Sequence, residues 1–116
     1  MQAFEILDLI EQQRQHNDAY FEFLRVPALS MGVYSLPAHA SDGQLPHSED
    51  EVYYVVSGQA EILVGAENRV VEAGSIIFVA ATVEHRFHSI SEDLTVLVFF
   101  APAEYTLQQT DLEKQA

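Results

Sequence analysis

His47, Glu49 and Glu51 stand at a spacing of two, directly before the apolar run Val52-Tyr53-Tyr54-Val55-Val56. An imidazole nitrogen and carboxylate oxygens are the donors that hold zinc and neighbouring transition metals. In an extended chain successive side chains alternate faces, so these three project the same way. The run that follows is β-branched and aromatic, is closed by Ser57-Gly58, and reads as a buried strand. Donors that converge at the head of a buried strand make a candidate metal cluster. The same residues also read as a solvated acidic turn, Glu49-Asp50-Glu51, beside an incidental histidine. The stretch by itself leaves both readings open.

A second segment bears on the choice. Glu72-Ala73-Gly74-Ser75 leads into the short apolar run 76–79, and His85 heads another strand-like stretch. Taken together, residues 28–102 resemble the cupin superfamily. Its first motif has a glycine, two histidines one residue apart, a glutamate three or four residues on, and a glycine after six more. His47 fits the second histidine, Glu51 the glutamate and Gly58 the closing glycine, with Gly43 near the opening one. In the second motif, Gly74 and His85 match the leading glycine and the histidine in register. Leu45 occupies the place of the first histidine, Ala80 and Thr82 replace a proline and a glycine, and Ser89 replaces an asparagine. The resemblance therefore implies three metal ligands, His47, Glu51 and His85. Two histidines and a carboxylate suit iron, zinc, manganese or nickel. The spacing adds Glu49 as a candidate fourth oxygen donor.

The elements that must position these residues follow from hydrophobic period and turn chemistry. Residues 3–15 read as a helix, with Ala3, Phe4, Leu7, Ile10 and Arg14 on a stripe widened by Ile6 and Leu9. Residues 20–26 and 29–36 read as strands stopped by Pro27 and Pro37, and 38–46 as a loop that delivers His47 and contains an exposed His39. Past the central strand, 59–64 and 69–72 form a hairpin around Gly65-Ala66-Glu67-Asn68. Strands at 76–79, 85–90 and 94–100 follow, with His85 and Phe87 on one face and His88 on the other. Residues 103–116 read as an acidic tail, loose or weakly helical. Short strands between Gly, Pro, Asp and Asn turns point to an all-β sandwich or barrel. The resemblance narrows this to a single cupin-type jelly-roll domain over 1–116, with its barrel at 20–102 and a short N-terminal helix. In that fold His47, Glu51 and His85 meet inside the barrel, with Tyr53 and Phe87 on its wall.

Composition limits the partners. Five Lys and Arg against 18 Asp and Glu give a net charge of −13, which repels phosphate backbones and anionic lipid. Neither a nucleic-acid nor a membrane partner is expected. With no cysteine, any metal is held by nitrogen and oxygen alone. No signal peptide or membrane-spanning run is read, and a cytoplasmic protein is expected.

The resemblance implies a small metalloenzyme of oxygenase, isomerase or lyase type, acting on a small organic metabolite in the barrel pocket. Glu49 and Tyr53 are the candidates for moving a proton there. A non-catalytic module that binds a small ligand or senses metal stands as the alternative, and a purely structural barrel as a third reading. A homodimer is also expected. Leu97 and Phe99, together with Val52, Tyr54 and Val56, leave more apolar surface than one short helix covers.

Overall fold

Two long antiparallel strands organise the chain in a computed structural model that describes residues 1–107. These are β3 (Asp50–Val64) and β6 (His85–Ala101), paired from Asp50 opposite Ala101 to Val64 opposite His85. The sequence pattern suggests two shorter strands in each, broken at Ser57-Gly58 and near residue 92. Instead the strands continue through these points, with shifts of register between Val55 and Glu61. Such irregularities bend and twist a strand without ending it. Gly58 makes the bend feasible: its φ is +99°, and a Cβ there would lie 2.2 Å from the Asp93 carbonyl oxygen. The glycine that reads as a turn is the point where one strand's backbone presses on the other's.

The other strands add to this pair. β1 (Tyr20–Val26) pairs with β2 (Leu29–Leu36), and β2 with the last part of β6. β4 (Glu67–Glu72) pairs with the end of β3, and β5 (Ile76–Val79) with its beginning. The order is β1-β2-β6-β3-β4, with β5 beside the start of β3. This is the mostly β fold with one short N-terminal helix that the sequence implies. Tyr53, Val55, Phe87, Val96, Val98 and Phe100 are all buried in one core with Ile62 and Leu94, so the inward faces are those that the alternation assigns.

The helix α1 is shorter than its pattern, Ile6–Gln15 instead of 3–15. Its covered side is Leu9 and Gln13 flanked by Ile6 and Ile10, whereas Leu7 is 76% exposed. Gln13 takes a buried place because its amide donates to the Ala19 carbonyl at 3.2 Å, an interaction that hydrophobic period cannot reveal. Phe4, ahead of the helix, stacks edge-on against Phe23 with ring centres 4.9 Å apart.

The expected loose tail differs in its first part. Ala103 and Glu104 are buried, at 2% and 7% exposure. Backbone N–H groups of Ala103 and Glu104 donate to Pro27 O and Ser30 Oγ at 3.3 and 2.9 Å. Backbone hydrogen bonding, which side-chain character does not report, holds the segment against β2 and the turn before it. The rest of the expected tail, 108–116, lies outside the described residues.

On the outer sheet face, register sets Met31, Phe99, Val52 and Phe78 in one row across four strands. Val33, Leu97, Tyr54 and Ile76 form the next. The helix lies over the β1–β2 end of these rows. At the other end Tyr54, Ile76 and Phe78 are 40%, 67% and 61% exposed.

Candidate metal centre

Glu51 is the second residue of β3 and lies between Val79 of β5 and Phe100 of β6, turned inward with 2% exposure. His85 opens β6 and is likewise buried. His47 arrives from the loop after β2, which is fixed at two places. The Thr82 N–H donates to the His47 carbonyl at 2.7 Å. Asp42 accepts from the Tyr34 hydroxyl at 2.7 Å and from the Phe87 N–H at 2.9 Å. The outcome is that one donor atom from each of His47, Glu51 and His85 lies within 4.8 Å of the others.

Hydrogen bonding at these atoms is incomplete in an informative way. His85 Nδ1 lies 2.9 Å from the Val83 carbonyl, which only accepts, so Nδ1 carries the proton. In neutral His85 the Nε2 lone pair then faces Glu51 Oε1, 3.0 Å away. The two atoms are off line for a hydrogen bond. Among the described residues, neither oxygen of Glu51 nor His85 Nε2 has a hydrogen-bond partner. A buried carboxylate without donors is costly unless a positive charge meets it. Burial disfavours the His85 cation, yet Glu51 and the Val83 carbonyl outweigh it and raise the pKa. A proton or a metal ion is what this pair attracts. His47 behaves oppositely: burial, with His85 close by, keeps its pKa down despite Glu51. A neutral imidazole, a carboxylate and a second imidazole with its outer nitrogen held by a carbonyl are the form in which such residues bind metal. The set fits a divalent ion.

Other side chains complete the surroundings. Glu104 Oε2 lies 3.3 Å from His47 Nδ1, and burial among Glu22, Glu51 and Glu49 pushes its pKa up to about 7. The Tyr53 hydroxyl donates to Gln44 Oε1 at 3.0 Å, and burial holds it far above the usual phenol range, as a neutral donor. A cavity of ≈ 420 Å³ opens beside His47, walled by Tyr20, Tyr34, Gln44, Phe100 and Glu104 among others. The Tyr20 hydroxyl is buried with no partner among the described residues, and its ring lies over Gly32, where a Cβ would stand 2.3 Å from Cζ.

Glu49, the candidate fourth oxygen, is not among the grouped donors. Its Oε1 accepts the Tyr105 N–H at 2.7 Å, and its Oε2 accepts the Leu107 N–H at 2.9 Å and the Ser48 hydroxyl. The rule of alternating faces needs an extended chain, and the backbone bends at Ser48 and Glu49, before β3 begins. His39 is exposed in its loop. His88 contacts Asn68 and Ser89 on the far side of β6 from His85. Gln44, Glu104, Tyr20 and Tyr34 are the site residues that spacing did not flag. They come from separate segments, and no spacing in the sequence links them.

A model of the cupin domain matches residues 32–100. The chain belongs to the cupin family. Over 105 residues this cupin is 53% identical to an uncharacterized Streptomyces coelicolor protein, covering 90% of this chain and 99% of that one. Among solved structures, TT1209 from Thermus thermophilus superposes with a TM-score of 0.70 at 19% identity, over 89% of this chain and 99% of that one. The DMSP lyase DddQ from Ruegeria pomeroyi superposes with a TM-score of 0.64 at 20% identity, over 72% of this chain and 47% of that one. Identities this low show a shared fold. No helix among the described residues is long and apolar enough to cross a membrane.

Proposed function

We propose that this cupin is a metal-dependent enzyme that converts a small organic metabolite in the cavity beside His47. The observation that carries the reading is the lack of hydrogen-bond partners, among the described residues, at both Glu51 oxygens and at His85 Nε2, next to that cavity. His47, Glu51 and His85 would hold a divalent ion, of zinc, manganese, iron or nickel. Such an ion, when bound, polarises a substrate oxygen or, for iron, supports dioxygen chemistry.

The chain's own residues do the rest. Tyr20 offers a substrate oxygen or nitrogen a hydroxyl that has no partner among the described residues. Phe100 and Val98 wall the cavity with apolar surface, while Tyr34, hydrogen-bonded to Asp42, gives it a rigid polar edge. Tyr53 remains protonated and donates to Gln44, which suits it better to holding a proton in place than to abstracting one. Glu49 already accepts two backbone N–H groups and a hydroxyl, so we assign it to the scaffold. Among the described residues no arginine or lysine lines this cavity, so an anionic substrate would depend on the metal for its countercharge. That a lyase shares the fold is consistent with an enzyme here, although it is the site that supports the reading. Turnover of a panel of small organic acids and their derivatives by metal-loaded protein tests it. Activity that disappears with chelation and returns with metal is expected. Ligand binding without turnover of any member would favour the non-catalytic module.

We also propose a homodimer through the outer apolar rows. Tyr54, Ile76 and Phe78 are exposed side by side on a chain of net charge −13, and a second copy offers the same uncharged patch. Light scattering at micromolar concentration should give twice the 13.0 kDa chain mass, and Phe78→Glu should give a folded monomer. A monomeric parent protein would contradict this.

A further inference from the structure

We propose that the side-chain carbonyl of Gln44 is a fourth protein donor to the metal, and so fills the coordination position for which Leu45 has no donor atom. The inference rests on the metal reading above and extends it to a residue outside the three-residue cluster. Leu45, at the register of the missing histidine, is 78% exposed on the rim. The neighbouring Gln44 turns inward, and its orientation is fixed. Its amide nitrogen donates to Asp42 Oδ2 at 2.8 Å, and that carboxylate accepts only from donors, so the carbonyl oxygen is the end that faces the centre. Asp42 is itself held by Tyr34 and by the Phe87 N–H.

Gln44 Oε1 lies 3.4 Å from His47 Nε2, and His47 Nδ1 is engaged by Glu104. If Nδ1 carries the proton toward Glu104, then Nε2 and Oε1 are two acceptors facing each other. The separation is close to the 3.0 Å between His85 Nε2 and Glu51 Oε1, although the His47–Gln44 pair is aligned for a hydrogen bond and the His85–Glu51 pair is not. Around one ion with bonds of about 2.1 Å, adjacent donors stand about 3.0 Å apart at a right angle and about 3.4 Å apart at the tetrahedral angle. Both pairs have separations of this kind. A carbonyl oxygen has two lone pairs, and the Tyr53 hydroxyl takes one at 3.0 Å, which leaves the other for the ion. Tyr53 then acts as a positioning residue that keeps the carbonyl in place.

The alternative is that His47 Nε2 carries the proton and donates it to Gln44. A cobalt(II) titration of the full-length protein and of Gln44→Leu and Gln44→Glu separates the two, read by chelator competition and by the visible absorption of the bound ion. Leucine is similar in size and has no donor, while glutamate keeps an oxygen and adds charge. Gln44→Leu should weaken cobalt binding at least tenfold and alter the absorption bands; it also leaves the buried Tyr53 hydroxyl without its acceptor and lowers the melting temperature, so both readouts are taken below the melting transition of the variant. Gln44→Glu should bind at least as tightly as the parent. Parent affinity and parent spectrum in Gln44→Leu would overturn the assignment and leave the metal reading standing. If Gln44→Leu does not fold, Gln44→Glu decides alone: its spectrum should shift as an anionic oxygen replaces a neutral one, and an unchanged spectrum overturns the assignment. A parent protein that takes up no cobalt brings down the metal reading, and the assignment with it.

Discussion

Glu49 and Glu51 are two residues apart and equally buried, at 1% and 2% exposure, yet they sit in opposite chemical regions. Around Glu49 the chain supplies everything a carboxylate needs: two backbone N–H groups from 105 and 107 and the Ser48 hydroxyl. Around Glu51 the described residues supply no hydrogen-bond donor, only His85 Nε2 across 3.0 Å and His47 nearby. Burial alone therefore does not identify a functional carboxylate. The partners do, because a carboxylate whose donors come from the fold is finished, and one without donors is prepared for a cation.

Removing Glu51 should separate the two regions most sharply. Glu51→Gln should weaken zinc or manganese binding by about a hundredfold or more in a calorimetric titration, since second partners alone are worth about 10–100-fold. Its metal-free form should melt no lower than the parent, because an unsatisfied buried charge has been removed. A destabilised Glu51→Gln with parent metal affinity would reverse the comparison.

Glu49→Ala should do the opposite. It should cost about 2–3 kcal/mol of stability in urea denaturation, the scale of lost hydrogen bonds to a charged group. Metal affinity should change less than tenfold when measured below the melting transition. A hundredfold loss of affinity would return Glu49 to the ligand set.

The smallest effect concerns Glu104, which faces Glu22, Glu49 and Glu51 and touches His47. Its folded pKa of about 7 lies above the ordinary 4.5, so the folded state binds its proton more tightly than the unfolded chain. That contribution is complete below about pH 4.5 and is lost as pH rises through about 7. Metal-free Glu104→Gln should therefore lose less stability than the parent over this interval. Identical pH profiles would show that the glutamate is not held in this way.

Sequence legibility divides along similar lines. β1 and β2 were readable residue for residue, because Pro27 and Pro37 end them and apolar residues recur along both. His47, Glu51 and His85 were readable through motif register, and the structure brings all three together. The bends at Gly58 and near Asp93 were not, since a glycine that breaks a strand and one that admits a neighbouring backbone look alike in sequence. Nor was Glu49, whose placement depends on where extended backbone begins. Glu104 reaches the site through long-range contacts to His47 and Ser30, and Gln44 through its bonds to Asp42 and Tyr53; no hydrophobic period encodes either.

Metal content tests the central claim most directly. Full-length protein purified without an affinity tag, and its Glu51→Gln variant, would be assayed by elemental analysis after incubation with manganese, iron, nickel or zinc and desalting. The expected result is about one divalent ion per chain in the parent and essentially none in the variant. A parent that retains none of the four ions, or a variant that retains as much as the parent, would contradict a metal centre built on His47, Glu51 and His85.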